Sequence, residues 1–131
     1  MNKNQGLAYI AGLIVIIAVL HFVALYFHLY WSLWWFDIVM HFLGGAWVAA
    51  FTLWYLSHSL QSTYGKMKGA GVIVLATLCV GILWEVYEYF FGISLVGKDA
   101  YIVDTTLDII MDLTGALTAS ALFISRTPAS P

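Results

Sequence analysis

Charge is scarce in this 131-residue chain: 9% of residues are Asp, Glu, Lys or Arg, against 63% hydrophobic. The net charge of −2 leaves no basic footprint for nucleic acid. Cysteine occurs once, as Cys79, which excludes an internal disulfide and a cysteine-built zinc cage and leaves the redox compartment unread. Low-complexity tracts and internal repeats are absent, and at this length residues 1–131 form one domain. Basic residues are missing from every apolar stretch: Lys3, Lys66, Lys68, Lys98 and Arg126 all fall outside.

What remains is a membrane composition, with a mean hydropathy of +0.91. Four stretches, Leu7–Phe27, Asp37–His58, Gly69–Phe91 and Asp104–Ser125, each hold roughly 20 residues, enough to cross about 30 Å of hydrocarbon. The expectation is an all-α, polytopic four-helix transmembrane bundle. No small-x-small cleavage site follows the first stretch before His28, so it reads as a retained helix and not a signal peptide. Residues 28–36 are aromatic enough for an interfacial belt, 59–68 read as a polar turn and 92–103 as a loop. The tail after Ser125 reads as disordered. With the N-terminus inside, Lys3, Lys66, Lys68 and Arg126 collect on the cytoplasmic face and only Lys98 outside. That bias predicts a multi-pass inner-membrane protein with both termini cytoplasmic.

Against this background six of the seven acids, Asp37, Glu85, Glu88, Asp104, Asp108 and Asp112, lie inside the apolar stretches or at their ends. A charged side chain at the bilayer centre costs roughly 2.5–3.5 kcal/mol even on the gentlest insertion scale. The topology brings these acids to one end of the bundle. Asp37 and His41 begin the second helix, Glu85 and Glu88 close the third, and Asp104, Asp108 and Asp112 begin the fourth. At 1.5 Å per residue, His41, Glu85, Glu88 and Asp108 lie roughly 5–9 Å below the outer boundary and Asp112 about 12 Å. Spacings of three, four and eight residues put each set on one helical face, and those faces should turn inward together. Gly44, Gly45 and Gly115 lie beside the acids, where small residues let helices approach closely.

Six carboxylates and one imidazole at similar depth cannot all be ionised and unpaired. Either several stay protonated or metal ions neutralise them. An oxygen-rich set with one nitrogen suits Mg, Mn, Ca or non-haem Fe, one or two ions, better than a structural zinc. Asp37, His41, Glu85, Glu88, Asp104, Asp108 and Asp112 are the candidate ligands, with Glu88 and Asp112 the candidate catalytic carboxylates. Paired carboxylates on facing helices resemble soluble di-metal bundles in outline, although Glu85-x-x-Glu88 stands where those have Glu-x-x-His.

The segments Asp37-IVM-His41-FLGG, Glu85-VY-Glu88 and Asp104-TTL-Asp108-IIM-Asp112-LTG-Ala116 resemble the YjdF-like small inner-membrane proteins. They are more distantly similar to the VanZ-like family, across residues 37–118. VanZ-like proteins are associated with resistance to a lipoglycopeptide antibiotic, while the YjdF-like resemblance implies no established activity. Glu88 stands where the VanZ-like pattern commonly has Gln, and Asp112 where it has Asn, which makes this site more acidic and weakens transfer of that phenotype.

Plainer readings apply to some of these residues. Helix capping accounts for Asp37 and Asp104 as well as ligation does. Capping cannot reach Asp108 or Asp112, and Glu85 and Glu88 sit at the wrong helix end for it, so a protonated hydrogen-bonded network is their structural alternative. His21 and His28 read as interfacial packing, His58 as solvated and Cys79 as packing. The tryptophans and tyrosines of 26–35 and 84–101 mark the interface.

Three functions compete. The leading one is a metal-dependent hydrolase or transferase acting on a membrane lipid or lipid-linked substrate, with a metal-activated water and a spare carboxylate as base. Against phosphate chemistry, no Arg or Lys lies near to hold a phosphate. The second is a cation or proton transporter subunit, which would need a second polar half such as a homo-oligomer supplies. The third is a non-enzymatic scaffold with a structural metal.

Overall fold

The computed structural model describes residues 3–59, 66–91 and 101–125. Five helices follow in order: α1 (Lys3–Phe27), α2 (Leu29–Ser32), α3 (Phe36–Ser59), α4 (Lys66–Phe91) and α5 (Tyr101–Ser125). The four long helices contain the four apolar stretches and begin one to four residues earlier. Asn4, Gln5, Lys66 and Met67 continue the helical backbone past the apolar residues that betrayed it. The tail and most of the two polar connections, with Lys98, Asp99 and Arg126, lie outside the described residues, as do the side chains of Lys3, His58, Lys66 and Lys68.

The expected count of four helices is corrected by α2, a single turn inside the aromatic segment read as a belt. His28 makes it possible. Its φ of 55° is left-handed, a region histidine enters more often than most residues. The chain thereby turns sharply after α1, and the His28 carbonyl accepts from the Trp31 and Ser32 amides at 3.1 Å. Tyr30 is folded inward against Ala24 and Phe36, its ring edge-on to Phe36 at 5.3 Å.

Among the described residues, three helices are long and apolar enough to cross a membrane by length and composition: Asn4–Phe27, Phe36–Ser57 and Ala70–Phe91. α5, the fourth expected span, carries Asp104, Asp108 and Asp112 along its first three turns.

The surface is apolar, and the interior holds polar side chains beside apolar ones. Val15, Val19, Phe22, Leu75, Leu83 and Phe90 are exposed, whereas His41, Thr52, Thr77, Glu85, Glu88, Asp108 and Asp112 are buried. Cys79 is exposed, so its expected packing role is corrected: it faces outward from α4. This polarity suits a hydrocarbon solvent, in which apolar contact does not hold helices together and close backbone approach must.

α3 is the hub, packing against each of the other helices. Its contact with α5 is the most extensive, and glycine is the reason. A Cβ on Gly115 would run into the backbone carbonyl of Phe42, and one on Gly45 into the backbone carbonyl of Asp112. Below this crossing Ala49, Ile73 and Ala116 close the bundle between α3, α4 and α5. α1 is held differently. Its backbone approaches α2 and α3 closely, and it is pinned to α3 by the Trp47 indole donating to the Ile10 carbonyl at 3.0 Å.

Substitution at the crossing should be costly. Gly115→Ala is expected to lower stability in detergent by about 1–3 kcal/mol or more, as overpacking against rigid backbone does. Gly12→Ala, which meets nothing within 4 Å, should leave it unchanged or raised. Thermal unfolding followed by circular dichroism separates the two, and an undisturbed Gly115→Ala protein would refute the crossing.

Candidate metal centre

The site sits where α3 and α5 begin and α4 ends. Asp37 occupies the first turn of α3 and His41 the next. Glu85 and Glu88 share a face of the last turns of α4, and Asp108 and Asp112 share a face of α5. Helical periodicity aims all of them at one point between the three helices. His41, Glu85, Glu88, Asp108 and Asp112 are each between 2% and 6% exposed.

His41 stands at the centre. Its Nε2 lies 3.8 Å from Asp37 Oδ1, 3.7 Å from Glu85 Oε1 and 3.9 Å from Asp108 Oδ1. On the other side of the ring, Nδ1 lies 3.5 Å from Asp112 Oδ1. These separations are too long for good hydrogen bonds. Accordingly His41 Nε2, Glu85 Oε1, Asp108 Oδ2 and Asp112 Oδ2 are buried without a hydrogen-bond partner. Two sets of ligand atoms lie within 4.8 Å of one another: Asp37, His41 and Asp108, and His41, Glu85 and Glu88.

The Nε2 gaps of 3.7–3.9 Å fall between the two ligand–ligand spacings of a six-coordinate ion, so side-chain shifts of a few tenths of an ångström would be needed to close round one. With metal–oxygen bonds of about 2.1–2.5 Å, adjacent ligands on a six-coordinate ion lie about 3.0–3.5 Å apart and opposite ones about 4–5 Å. The ring is also polarised in the useful sense. A proton on Nδ1, facing Asp112, leaves the Nε2 lone pair directed at the other carboxylates.

Four buried carboxylates without compensation would cost several kcal/mol each, more together than the roughly 5–15 kcal/mol that holds a typical domain folded. His41 is the only basic side chain beside them among the described residues.

Two further groups hold the outer carboxylates. Thr105 Oγ1 donates to Glu85 Oε2 at 2.7 Å, and Trp84 Nε1 donates to Glu88 Oε1 at 2.7 Å. The sequence offered a signal for both that aromatic and hydroxyl counting passes over: Trp84 is one turn before Glu88, and Thr105 is three residues before Asp108. Asp104 is half-buried and belongs to neither ligand set. It sits in the first turn of α5, where capping was the competing account.

A cavity of about 450 Å³ adjoins the cluster between α1, α3 and α4, with Asp37, His41 and Asp112 in its wall. His21 lies in the same wall, its Nδ1 2.8 Å from the Tyr30 hydroxyl and its ring edge-on to Trp84. Burial, with Asp37 and Glu88 nearby, pushes the Tyr30 phenol above its ordinary value, so it stays neutral at physiological pH. His21, read as interfacial packing, is half-buried among the rings of Phe22, Tyr30 and Trp84 and also lines the cavity, because the turn made by α2 folds Tyr30 back over α1. His28, by contrast, is exposed.

A family model described as a predicted membrane protein, DUF2238, matches residues 6–128. The chain belongs to this family. It is the family of the YjdF-like proteins, so that resemblance is shown and the chain is a membrane protein; no VanZ-like similarity emerges. No curated protein and no solved structure gives a significant match.

If repulsion among the acids burdens the metal-free DUF2238 bundle, neutralising one of them isosterically should relieve it. Asp108→Asn is expected to raise the thermal midpoint in chelator, by an amount equivalent to about 1–4 kcal/mol. A lowered midpoint would show instead that this carboxylate stabilises the metal-free fold.

Proposed function

We propose that this protein binds a divalent cation in the membrane through His41, Glu85, Asp108 and Asp37, and uses it in a hydrolase or transferase reaction on a lipid or lipid-linked substrate. The observation that carries the reading is the bare His41 Nε2, buried and facing three carboxylates at 3.7–3.9 Å. A structural network of protonated acids would close such gaps with hydrogen bonds, whereas ion ligands have reason to keep them open.

Roles divide by position. Asp112 faces Nδ1 and orients the ring, as carboxylates commonly do for metal-binding histidines. Glu88, fixed by Trp84 yet within one ligand set, is suited to act as a base or to take a second ion. The donor set is oxygen-rich, favouring Mg, Mn, Ca or Fe over zinc. α5 crosses the membrane with α1, α3 and α4, because its deep aspartates turn onto α3 and away from lipid. The basic residues favour the inner membrane with both termini cytoplasmic, which places the centre near the outer leaflet.

The test is metal content by mass spectrometry on detergent-purified protein, beside Asp108→Asn and Glu85→Gln. Wild type should carry a stoichiometric divalent ion that both variants lose. Adding that ion at 100 times its dissociation constant should stabilise wild type by about 2.7 kcal/mol and leave the variants unmoved. Metal-free protein after supplementation with each candidate ion would sink the proposal and favour proton-linked transport through the same carboxylates.

A further inference from the structure

The cavity beside the cluster has a shape and a chemistry of its own. It is bounded by α1, α3 and α4, and among the described residues α1 and α4 meet through the His21–Trp84 ring contact at 5.8 Å without a close approach of their backbones. The gap between them therefore faces sideways, into hydrocarbon if these helices cross the bilayer. Its lining on α4 runs from Thr77 to Tyr87, about 15 Å at 1.5 Å per residue. A volume of about 450 Å³ over that length gives a mean cross-section of about 30 Å².

The wall excludes water as the sole filling. Its deep half is built from Ile14, Ile17, Val48 and Val80, and the only unpartnered polar atom there is Thr77 Oγ1. A buried water requires two to four polar partners. At the other end the wall changes character within a turn or two, to Asp37, His41 and Asp112 on one side and His21 and Tyr30 on the other. The occupant that matches is long, thin and apolar, joined to a polar group that sits at the cluster.

We propose that the α1–α4 cleft binds one acyl chain of a membrane phospholipid and delivers its polar end to the His41 centre. The proposal rests on the reading of that centre as a site of chemistry on a lipid, and it names the substrate class. It also gives a role to α1, which contributes no acid, since Ile14, Ile17 and Ala18 form one wall of the chain-binding slot.

Protein reconstituted in phosphatidylethanolamine–phosphatidylglycerol bilayers with a trace of phosphatidylglycerol bearing a diazirine on one acyl chain would be irradiated and its adducts mapped by mass spectrometry. Val48 and Met40 line the cleft, Val48 being only 7% exposed, while Leu83 is 67% exposed and reports surrounding lipid. Wild type should be labelled at all three. Ala18→Trp and Val80→Trp, each filling the slot from one side, should cut labelling at Val48 and Met40 at least about tenfold, equivalent to roughly 1.4 kcal/mol of lost occupancy. Labelling at Leu83 should persist, and so should the metal content of the same samples.

Three outcomes overturn the proposal: Leu83 labelled without Val48 or Met40, cleft labelling that survives both variants, or a diazirine-bearing isoprenoid phosphate displacing the phospholipid from the cleft at equal concentration. The metal assay keeps the two readings apart. Cleft labelling in a metal-free protein supports the chain-binding slot and removes the metal, whereas a metal-loaded protein with an unlabelled cleft does the reverse.

Discussion

Burying carboxylates inside an apolar bundle with a single imidazole for company is the constraint on which the rest of this structure depends. Each buried acid is worth several kcal/mol against the fold unless something neutralises it, and among the described residues the side chains that meet these acids are Trp84, Thr105 and His41. Two of those satisfy outer oxygens of Glu85 and Glu88. Glu85 Oε1, which faces His41, and Asp108 Oδ2 and Asp112 Oδ2, the oxygens turned from it, are left buried without a hydrogen-bond partner. A bundle selected for stability alone would fill this space with aliphatic side chains; retaining the acids trades stability for a site that attracts positive charge.

The same constraint explains where the glycines are. Gly45 and Gly115 let α3 and α5 cross backbone to backbone, bringing His41 and Asp108 onto facing surfaces. Gly81 has a different purpose. A Cβ there would strike Asp112 Oδ2, so α4 yields its own side chain to make room for a carboxylate from α5. Close packing and acid burial are one design here: the helices approach most closely where the charge density is greatest, and that rigidity fixes the ligand atoms.

Much of this was legible in the sequence because helical periodicity and bilayer length are strong rules. Spacings of four between Asp37 and His41 and between Asp108 and Asp112 require a shared face, and the cost of lipid-facing charge decides that the face turns inward. What was not legible follows from tertiary turns. The left-handed His28 leaves no mark in composition, yet it turns the chain into α2 and brings Tyr30 onto His21, which also lines the cavity. Gly81 was missed because a lone glycine in a helix announces nothing until the neighbouring helix shows what occupies its space. The aromatic residues divide for the same reason. Trp84 and Tyr30 hold polar partners inside, while Trp34 and Phe90 remain on the surface, and a count of aromatics sees no difference.

The division of labour between the helices gives the chemistry its direction. α3, α4 and α5 carry every acid of the cluster and meet through small residues, so the centre is closed on their side. α1 carries none and is joined to α3 by apolar contact and the Trp47–Ile10 hydrogen bond, meeting α4 through the His21–Trp84 ring contact without close backbone approach. A site built only to hold the bundle together would be sealed on this side as well, since an open apolar gap forfeits packing contacts that α1 and α4 could have made. Instead the gap ends at the bare nitrogen of His41 and the oxygens of Asp37 and Asp112. A cation bound there, as proposed, would have α3, α4 and α5 on one side and the cavity on the other. In a low-dielectric setting its field would be strongest.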